Sequence, residues 1–202
     1  MNPSQREHFH PDFEAALAFA NRLHAGQTRK QTDIPYISHL IGVAGIVLEY
    51  GGNRDQAIAA LLHDAIEDQA EDYPGGAVRL RADIRERFGD EVLHIVEGCT
   101  DADTVPKPPW RQRKENYIAH LRATDDAVRL VSCADKLHNA RAIVSDLRVL
   151  GDALFDRFGG GKAGTLWYYR ALAETFLQRG EQRLAAELDR TVRTMRRLAG
   201  GV

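Results

Sequence analysis

The stretch LLHDAIED, residues 61–68, places one histidine and three carboxylates in an otherwise apolar frame. It overlaps the apolar run AIAALL, which predicts a buried helix. On a helix, residues four positions apart lie on the same stripe. His63 therefore lies one turn before Glu67, and Asp64 one turn before Asp68, so the four polar side chains share one side of the helix. The opposite side carries the predicted core residues Leu61, Leu62, Ala65 and Ile66.

This pattern has two interpretations. In the first, the acids of an amphipathic helix face solvent, and in the second they hold a metal ion and a water molecule. The apolar residues before the stretch favour burial, and burying carboxylates without a cation costs several kcal/mol each. A divalent ion meets this need, because histidine, aspartate and water are suitable ligands for Mn²⁺, Fe²⁺, Co²⁺ or Zn²⁺.

Two further residues on other predicted helices are candidate ligands. His39 lies in the apolar segment PYISHLIGVAGIV, and Asp135 follows the apolar strip 128–134. Each of them alone fits a hydrogen-bonded core residue better than a ligand. Together with His63 and Asp64 they make a set of two histidines and two aspartates from three helices. Such a set leaves coordination positions open for water and a substrate oxygen.

The composition is that of an ordinary globular protein. A chain of 202 residues with 44% hydrophobic and 28% charged residues can bury a sizeable core without disulfides. The net charge of −2 gives no general attraction to nucleic acid or to an anionic membrane. The two cysteines, Cys99 and Cys133, do not form a CxxC motif or a disulfide framework. Neither an apolar signal segment nor a run of about 18 apolar residues occurs, so we expect a cytoplasmic protein.

The periodicity of apolar residues predicts an all-α fold of about eight or nine helices. Apolar residues recur every three to four positions, and the alternating runs typical of strands are scarce. The proline-rich segment TDADTVPKPPW predicts a loop, and the glycine run 159–161 predicts a flexible connection. The predicted helices cover about residues 11–24, 35–51, 53–69, 75–89, 91–100, 111–122, 125–150, 165–179 and 181–199.

The order of these histidines and aspartates resembles the HD-domain metal-dependent phosphohydrolases. Further motifs resemble the hydrolase domain of the RelA/SpoT family, whose stand-alone forms are the small alarmone hydrolases. The resemblance covers about residues 11–180 and implies one HD-type domain over residues 1–202, with a C-terminal helix at 181–199. The motifs are HAGQTRK (24–30), PYISH (35–39), LLHDAIED (61–68), TD (100–101) and ADKLHN (134–139).

The resemblance implies a Mn²⁺ site with four ligands, His39, His63, Asp64 and Asp135. It also implies that Glu67 and Asp68 orient and deprotonate the attacking water. The chemistry is consistent, since a metal lowers the pKa of bound water and a carboxylate one turn away can accept its proton. Ordinary helix-surface charge is the alternative for Glu67 and Asp68.

The resemblance further implies that Arg29 and Lys30 lie near a nucleotide. A guanidinium plane can stack on a base, and an ammonium can meet a phosphate. Asn139 matches a residue that contacts the nucleotide, Lys107 in KPPWRQRK is a candidate clamp for distal phosphates, and Tyr168 is a candidate to close the pocket. Solvated loop charge is the alternative for the cations, and aromatic core packing is the alternative for Tyr168.

These motifs lead to the hypothesis of a Mn²⁺-dependent 3′-pyrophosphohydrolase of the stringent response, which converts (p)ppGpp to GDP or GTP and pyrophosphate. The same apparatus fits adenine alarmones or the 2′-phosphate of NADPH, because the sequence does not show how the base is read. A broader HD nucleotidase would not need Arg29 or Lys30. A non-catalytic alarmone sensor would not need the Glu67–Asp68 pair. We expect a small-molecule nucleotide as partner rather than nucleic acid or a membrane, and homo-oligomer formation stays open.

Overall fold

The computed structural model describes residues 9–101 and 108–200. Within these residues the chain forms ten α-helices and one 3₁₀ helix, and its extended pairing is limited to an isolated antiparallel bridge between Thr28 and Pro35. The predicted all-α fold is therefore confirmed. The chain divides into two compact units, one up to residue 103 and one from residue 104. That the whole chain forms one HD-type domain stays a prediction.

The helix bounds follow the predicted ones closely. The first unit contains α1 (Phe9–Leu23), α2 (Ile37–Glu49), α3 (Arg54–Leu62), α4 (Ala65–Gln69), α5 (Gly76–Phe88) and α6 (Asp90–Cys99). The second contains α7 (Trp110–Ala123), α8 (Asp126–Leu150), the 3₁₀ helix (Gly151–Arg157), α9 (Gly161–Arg179) and α10 (Gln182–Leu198). Among the described residues, no helix combines the length and the apolar character needed to cross a bilayer.

Helix α3 is the centre of the first unit. Asn53 caps its start with a capping box, in which Asn53 Oδ1 accepts from Gln56 N at 3.0 Å and Gln56 Oε1 accepts from Asn53 N at 2.8 Å. The six residues of AIAALL are all buried, so this helix has no solvent-facing side over its last two turns. It packs against α1, α2 and α6. The residues that follow it are thereby held against a fixed core.

The third predicted helix is divided at His63 and Asp64. Helix α3 ends just before this pair, and α4 begins just after it. His63 keeps helical dihedral angles (φ −59°, ψ −29°), whereas Asp64 has φ −98° and ψ 0°. The prediction of one continuous helix over 53–69 is therefore wrong at this point. The backbone N–H of Asp68 still donates to the Asp64 carbonyl at 2.9 Å, so these two residues remain one turn apart.

Helix α8 is the longest helix of the second unit, with 25 residues. Its N-cap is Asp125, whose Oδ1 accepts from Val128 N at 3.0 Å. The helix packs against α9, α10 and the 3₁₀ helix. Its first half is buried from Leu130 to Asp135, so the predicted apolar strip leads a carboxylate into the interior of this unit.

The glycine run 159–161 is a packing site for Trp110. A Cβ atom placed on Gly160 would lie 2.6 Å from two atoms of the Trp110 ring, and one placed on Gly164 would lie 3.1 Å from it. The ring is held from its other sides by Trp167 and Tyr168, with centroids 6.3 and 6.2 Å away. Helix α9 starts at Gly161, a turn earlier than predicted, because these glycines let the helix begin directly beneath the indole.

We expect Gly160→Ala to lower the free energy of unfolding by about 1–3 kcal/mol, the usual range for an added methyl group in a packed site. The measurement is a urea titration followed by circular dichroism. Gly45→Ala is the matched control, because a Cβ on this exposed helical glycine meets no atom within 4 Å. The control should be neutral or stabilising by up to about 1 kcal/mol. Equal stability of Gly160→Ala and the native chain would contradict the packing role.

Candidate functional site

The buried ring of His63 is oriented by the end of helix α3. Its Nδ1 lies 2.8 Å from the carbonyl oxygen of Ala60, which is free to accept because carbonyls in the last turn of a helix have no intrahelical partner. A carbonyl only accepts hydrogen bonds, so Nδ1 carries the proton and the lone pair of the neutral ring is on Nε2. The backbone thereby fixes the tautomer that a metal-binding histidine needs.

Two predicted ligands of the first unit, His39 and His63, converge on an oxygen atom of a third, Asp64. Asp64 Oδ2 lies 3.0 Å from His63 Nε2 and 3.6 Å from His39 Nε2. His39 comes from the first turn of α2, and its ring packs edge-on against that of His63 with centroids 5.2 Å apart. Both rings are buried. The same Asp64 oxygen accepts a hydrogen bond from the Tyr36 hydroxyl at 2.5 Å.

This donor set fits a divalent transition metal. With the ring neutral, the lone pair of His63 Nε2 faces a carboxylate oxygen at 3.0 Å, and either a shared metal ion or a proton on Nε2 offsets the repulsion between these two acceptors. Imidazole nitrogen and carboxylate oxygen are ligands that Mn²⁺, Fe²⁺, Co²⁺ and Zn²⁺ share. The Asp64 side chain is 21% exposed, so a ligand can reach this oxygen from solvent.

The two predicted water-side acids lie at the surface. Glu67 is partly exposed and Asp68 is exposed, whereas Ala65 and Ile66 of the same short helix fill the core. The expectation that the carboxylates of LLHDAIED are buried is therefore wrong for Asp68. Because Asp68 is exposed, it needs no cation to offset the cost of burial. Glu67 Oε2 accepts from the backbone N–H of Asp101 at 3.3 Å, so the predicted TD motif supports this carboxylate.

Asp68 is held by amide side chains that the sequence reasoning did not assign. Gln27 Nε2 donates to Asp68 Oδ2 at 2.8 Å. Gln27 Oε1 in turn lies 2.6 Å from Gln69 Nε2 and 2.6 Å from His24 Nδ1. Burial lowers the pKa of His24, against the opposing effect of its hydrogen bond to Gln27. The motif HAGQ contains two of these residues, but nothing in their spacing predicts a bond to a carboxylate 41 residues later.

Arg29 and Lys30 project from a loop whose ends are joined by backbone hydrogen bonds. Tyr36 N donates to Gln27 O at 2.9 Å, and Arg29 N donates to Ile34 O at 2.8 Å. Arg29 is partly exposed and Lys30 is exposed. The loop between the first two helices is therefore an ordered turn that presents two cations, as the sequence predicts for this segment.

Asp135 lies in the second unit with a donor at each oxygen. It is 4% exposed, and Lys136 Nζ lies 2.5 Å from its Oδ2 while Asn139 Nδ2 lies 2.5 Å from its Oδ1. Burial is the largest single effect and acts to lower the pKa of Lys136, but the charge and hydrogen bond of Asp135, together with Tyr117 and Tyr168, outweigh it and raise that pKa well above its usual range. Asn139 thus orients Asp135. That Asp135 joins His39 and His63 at one ion stays a prediction, as does a nucleotide contact by Asn139.

Tyr168 lies in an aromatic cluster of the second unit. It is 6% exposed, its ring lies next to those of Trp110 and Tyr169, and Lys114 Nζ lies 5.0 Å from its centroid. This environment fits the core-packing interpretation of Tyr168, and its contact with substrate stays a prediction. Lys107, the candidate phosphate clamp, lies outside the described residues.

The chain is similar to a family model, to curated proteins and to a solved structure. A model of the HD domain matches residues 16–157. The guanosine-3′,5′-bis(diphosphate) 3′-pyrophosphohydrolase MESH1 of Xenopus tropicalis is 39% identical over 129 residues, which are 62% of this chain and 66% of that protein. The guanosine-3′,5′-bis(diphosphate) 3′-pyrophosphohydrolase of Aquifex aeolicus is 35% identical over 134 residues, 65% of this chain and 18% of that protein. The chain thus spans just under two thirds of the first relative and under a fifth of the second.

A solved structure of a metazoan ortholog of SpoT that hydrolyses ppGpp is similar with a TM-score of 0.71. The similarity covers 95% of this chain and 97% of that one, at 24% sequence identity. At this identity the likeness shows the fold alone, and it agrees with the all-α architecture.

We expect Asp64→Asn to weaken the binding of Mn²⁺ by at least about tenfold, since the amide keeps the shape of the side chain but loses its charge. Isothermal titration calorimetry with the metal alone measures this. Glu86→Gln, which removes an exposed carboxylate from helix α5, should bind Mn²⁺ as the native chain does. Equal affinities of the Asp64 variant and the native chain would show that Mn²⁺ binds elsewhere.

Proposed function

Because the chain belongs to the HD domain family, we propose that it hydrolyses guanosine 3′,5′-bis(diphosphate) to GDP and pyrophosphate with the help of a divalent metal ion, Mn²⁺ in the first instance. One molecule of water is consumed, and the bond between the ribose 3′-oxygen and the adjacent phosphorus is broken. The names of the Xenopus and Aquifex relatives support this substrate.

The proposal is carried by the convergence of His39 and His63 on Asp64, one helical turn before Asp68. Two imidazole nitrogens lie within 3.6 Å of one carboxylate oxygen, and the tautomer of His63 is fixed for binding a cation. Asp68 follows Asp64 by one turn, connected by a backbone hydrogen bond of 2.9 Å. A protein that only binds a nucleotide has no need of acids in this arrangement.

The ligands we propose are His39, His63, Asp64 and Asp135. When bound, the ion supplies Lewis-acid activation of water and of the phosphate oxygens. Glu67 and Asp68 then orient the water and accept its proton, for which their exposure is an advantage because the proton can leave to solvent. Arg29 and Lys30 offset the charge of the phosphates or stack on the base.

The central test is product identification with ppGpp, pppApp and NADPH as separate substrates in the presence of Mn²⁺. We expect GDP and pyrophosphate from ppGpp, separated by ion-exchange chromatography. Asp64→Ala should reduce the rate by about 100-fold or more, because one metal ligand is lost. Glu86→Ala, at an exposed position of α5, should retain the native rate.

Each outcome of this panel has a defined meaning. Turnover of pppApp alone would show the same chemistry on an adenine alarmone, and release of phosphate from NADPH alone would show a 2′-phosphatase. Both results would contradict guanine as the base. The absence of turnover on all three substrates, with Mn²⁺ demonstrably bound, would contradict the proposal that the chain is an enzyme.

Arg29→Gln and Lys30→Gln should each raise KM for ppGpp by about tenfold while kcat changes little, because a charge-assisted hydrogen bond to a phosphate is worth about 1.5–3 kcal/mol. Steady-state kinetics at constant ionic strength separates the two parameters. Arg85→Gln is the control for the loss of one positive charge, since Arg85 is exposed and paired with Asp90. Unchanged KM in both loop variants would favour a broader nucleotidase.

A further inference from the structure

His24 is a buried residue beside the candidate site. It follows the last residue of α1, and its backbone N–H donates to Ala20 O at 3.0 Å, so its backbone position is set by the helix. Its ring is 3% exposed. The ring contacts two residues, Tyr36 by stacking and Gln27 by a hydrogen bond, and each of these holds a different carboxylate of the site.

The first contact leads to Asp64. The rings of His24 and Tyr36 are stacked, with centroids 5.2 Å apart and an angle of 21° between the planes. The Tyr36 hydroxyl donates to Asp64 Oδ2 at 2.5 Å. The backbone of Tyr36 is also fixed, because its N–H donates to Gln27 O. With the backbone held, stacking on His24 sets the direction of the Tyr36 ring and thus the position of its hydroxyl.

The second contact leads to Asp68, and its hydrogen-bond directions are determined. A carboxylate only accepts, so the amide nitrogen of Gln27 must face Asp68 Oδ2, at 2.8 Å. The amide oxygen of Gln27 then faces His24 Nδ1 at 2.6 Å, and Nδ1 must carry a proton. Gln69 Nε2 also donates to this oxygen at 2.6 Å. Gln69 Nε2 is 3.3 Å from His24 Nδ1, which has no lone pair to accept from it in this tautomer.

The second ring nitrogen of His24, Nε2, lies in a different environment from Nδ1. Nε2 is buried and has no hydrogen-bond partner among the described residues. A buried acceptor without a partner is unfavourable, and such groups persist where the surrounding structure requires them. Here the Nδ1 proton acts together with the Gln69 amide to keep the amide of Gln27 from turning over and presenting its oxygen to Asp68.

We propose that His24 is a positioning residue that sets both carboxylates of the site, Asp64 through the stacked Tyr36 and Asp68 through the amide of Gln27. The inference rests on the proposed function, because it assigns Asp68 to the attacking water. A turned Gln27 amide would repel Asp68 and move it from the water, and displacements of about 1 Å in such a group cost up to about 100-fold in rate.

The test uses two substitutions that separate the donor from the ring. His24→Phe keeps a ring for stacking on Tyr36 and removes the Nδ1 donor, whereas His24→Asn keeps a donor near the Nδ1 position. We expect His24→Phe to lower kcat for ppGpp by about 10- to 100-fold with KM and Mn²⁺ affinity unchanged. His24→Asn should recover most of kcat at saturating Mn²⁺ but bind Mn²⁺ more weakly, because it keeps a donor for Gln27 and loses the ring stacked on Tyr36. His120→Phe, at an exposed position of α7, is the matched control.

Gln27→Met tests the same connection without altering the buried ring. It should lower kcat to the same extent, and the double variant with His24→Phe should be no slower than Gln27→Met within about twofold, because the two residues act in series. Gln178→Met, at an exposed position of α9, controls for the loss of an amide. Additive losses in kcat, or losses that follow a fall in melting temperature, would contradict positioning through Gln27.

A measurement on the chain alone distinguishes failure of this inference from failure of the proposed function. Long-range ¹H–¹⁵N spectra of histidine-labelled protein report which ring nitrogen carries the proton, with His24→Phe providing the assignment. We expect a proton on Nδ1 in the native chain and loss of this preference in Gln27→Met. A proton on Nε2 would overturn the inference whatever the substrate. A native chain inactive on ppGpp that still has the Nδ1 proton would contradict the proposed function and support the hydrogen-bonded connection.

Discussion

A buried imidazole can face a metal ion only if its other nitrogen holds the proton, and His63 meets this condition through the carbonyl of Ala60. That carbonyl is available because α3 stops at Leu62. A continuous helix would offer the same carbonyl to the backbone of Asp64. The break at residues 63–64 is therefore what gives His63 its tautomer, and it also turns Asp64 toward His39.

The carboxylates of the site have different environments, which suits different tasks. Asp64 lies against two buried imidazole rings and accepts from a tyrosine hydroxyl, so its position is set by these three side chains. Asp68 is exposed and accepts from the side-chain amide of Gln27. A group that must exchange a proton with solvent benefits from exposure, whereas a ligand benefits from low screening.

The sequence predicted the helices well because their signals are local. Asn53 caps α3 and Asp125 caps α8, as their side chains favour, and apolar periodicity located the buried faces. The division at His63 and Asp64 has no such signal, because neither a glycine nor a proline stands at or next to these positions. The glycine run at Gly160 was read as a flexible connection, since only the tertiary structure brings the Trp110 indole onto it.

Sequence motifs predict the residues of the candidate site. They do not predict which side chain holds which carboxylate by a hydrogen bond. Gln27 and Asp68 are 41 residues apart, and their hydrogen bond depends on how α1 and α4 pack. The segment between His24 and Tyr36 illustrates the consequence. Its ends are joined by the bond from Tyr36 N to Gln27 O, and these ends hold the two carboxylates, while Arg29 and Lys30 lie in the turn between them. In the proposed enzyme, changes in the turn would therefore alter the contacts of Arg29 and Lys30 with a nucleotide without moving Asp64 or Asp68.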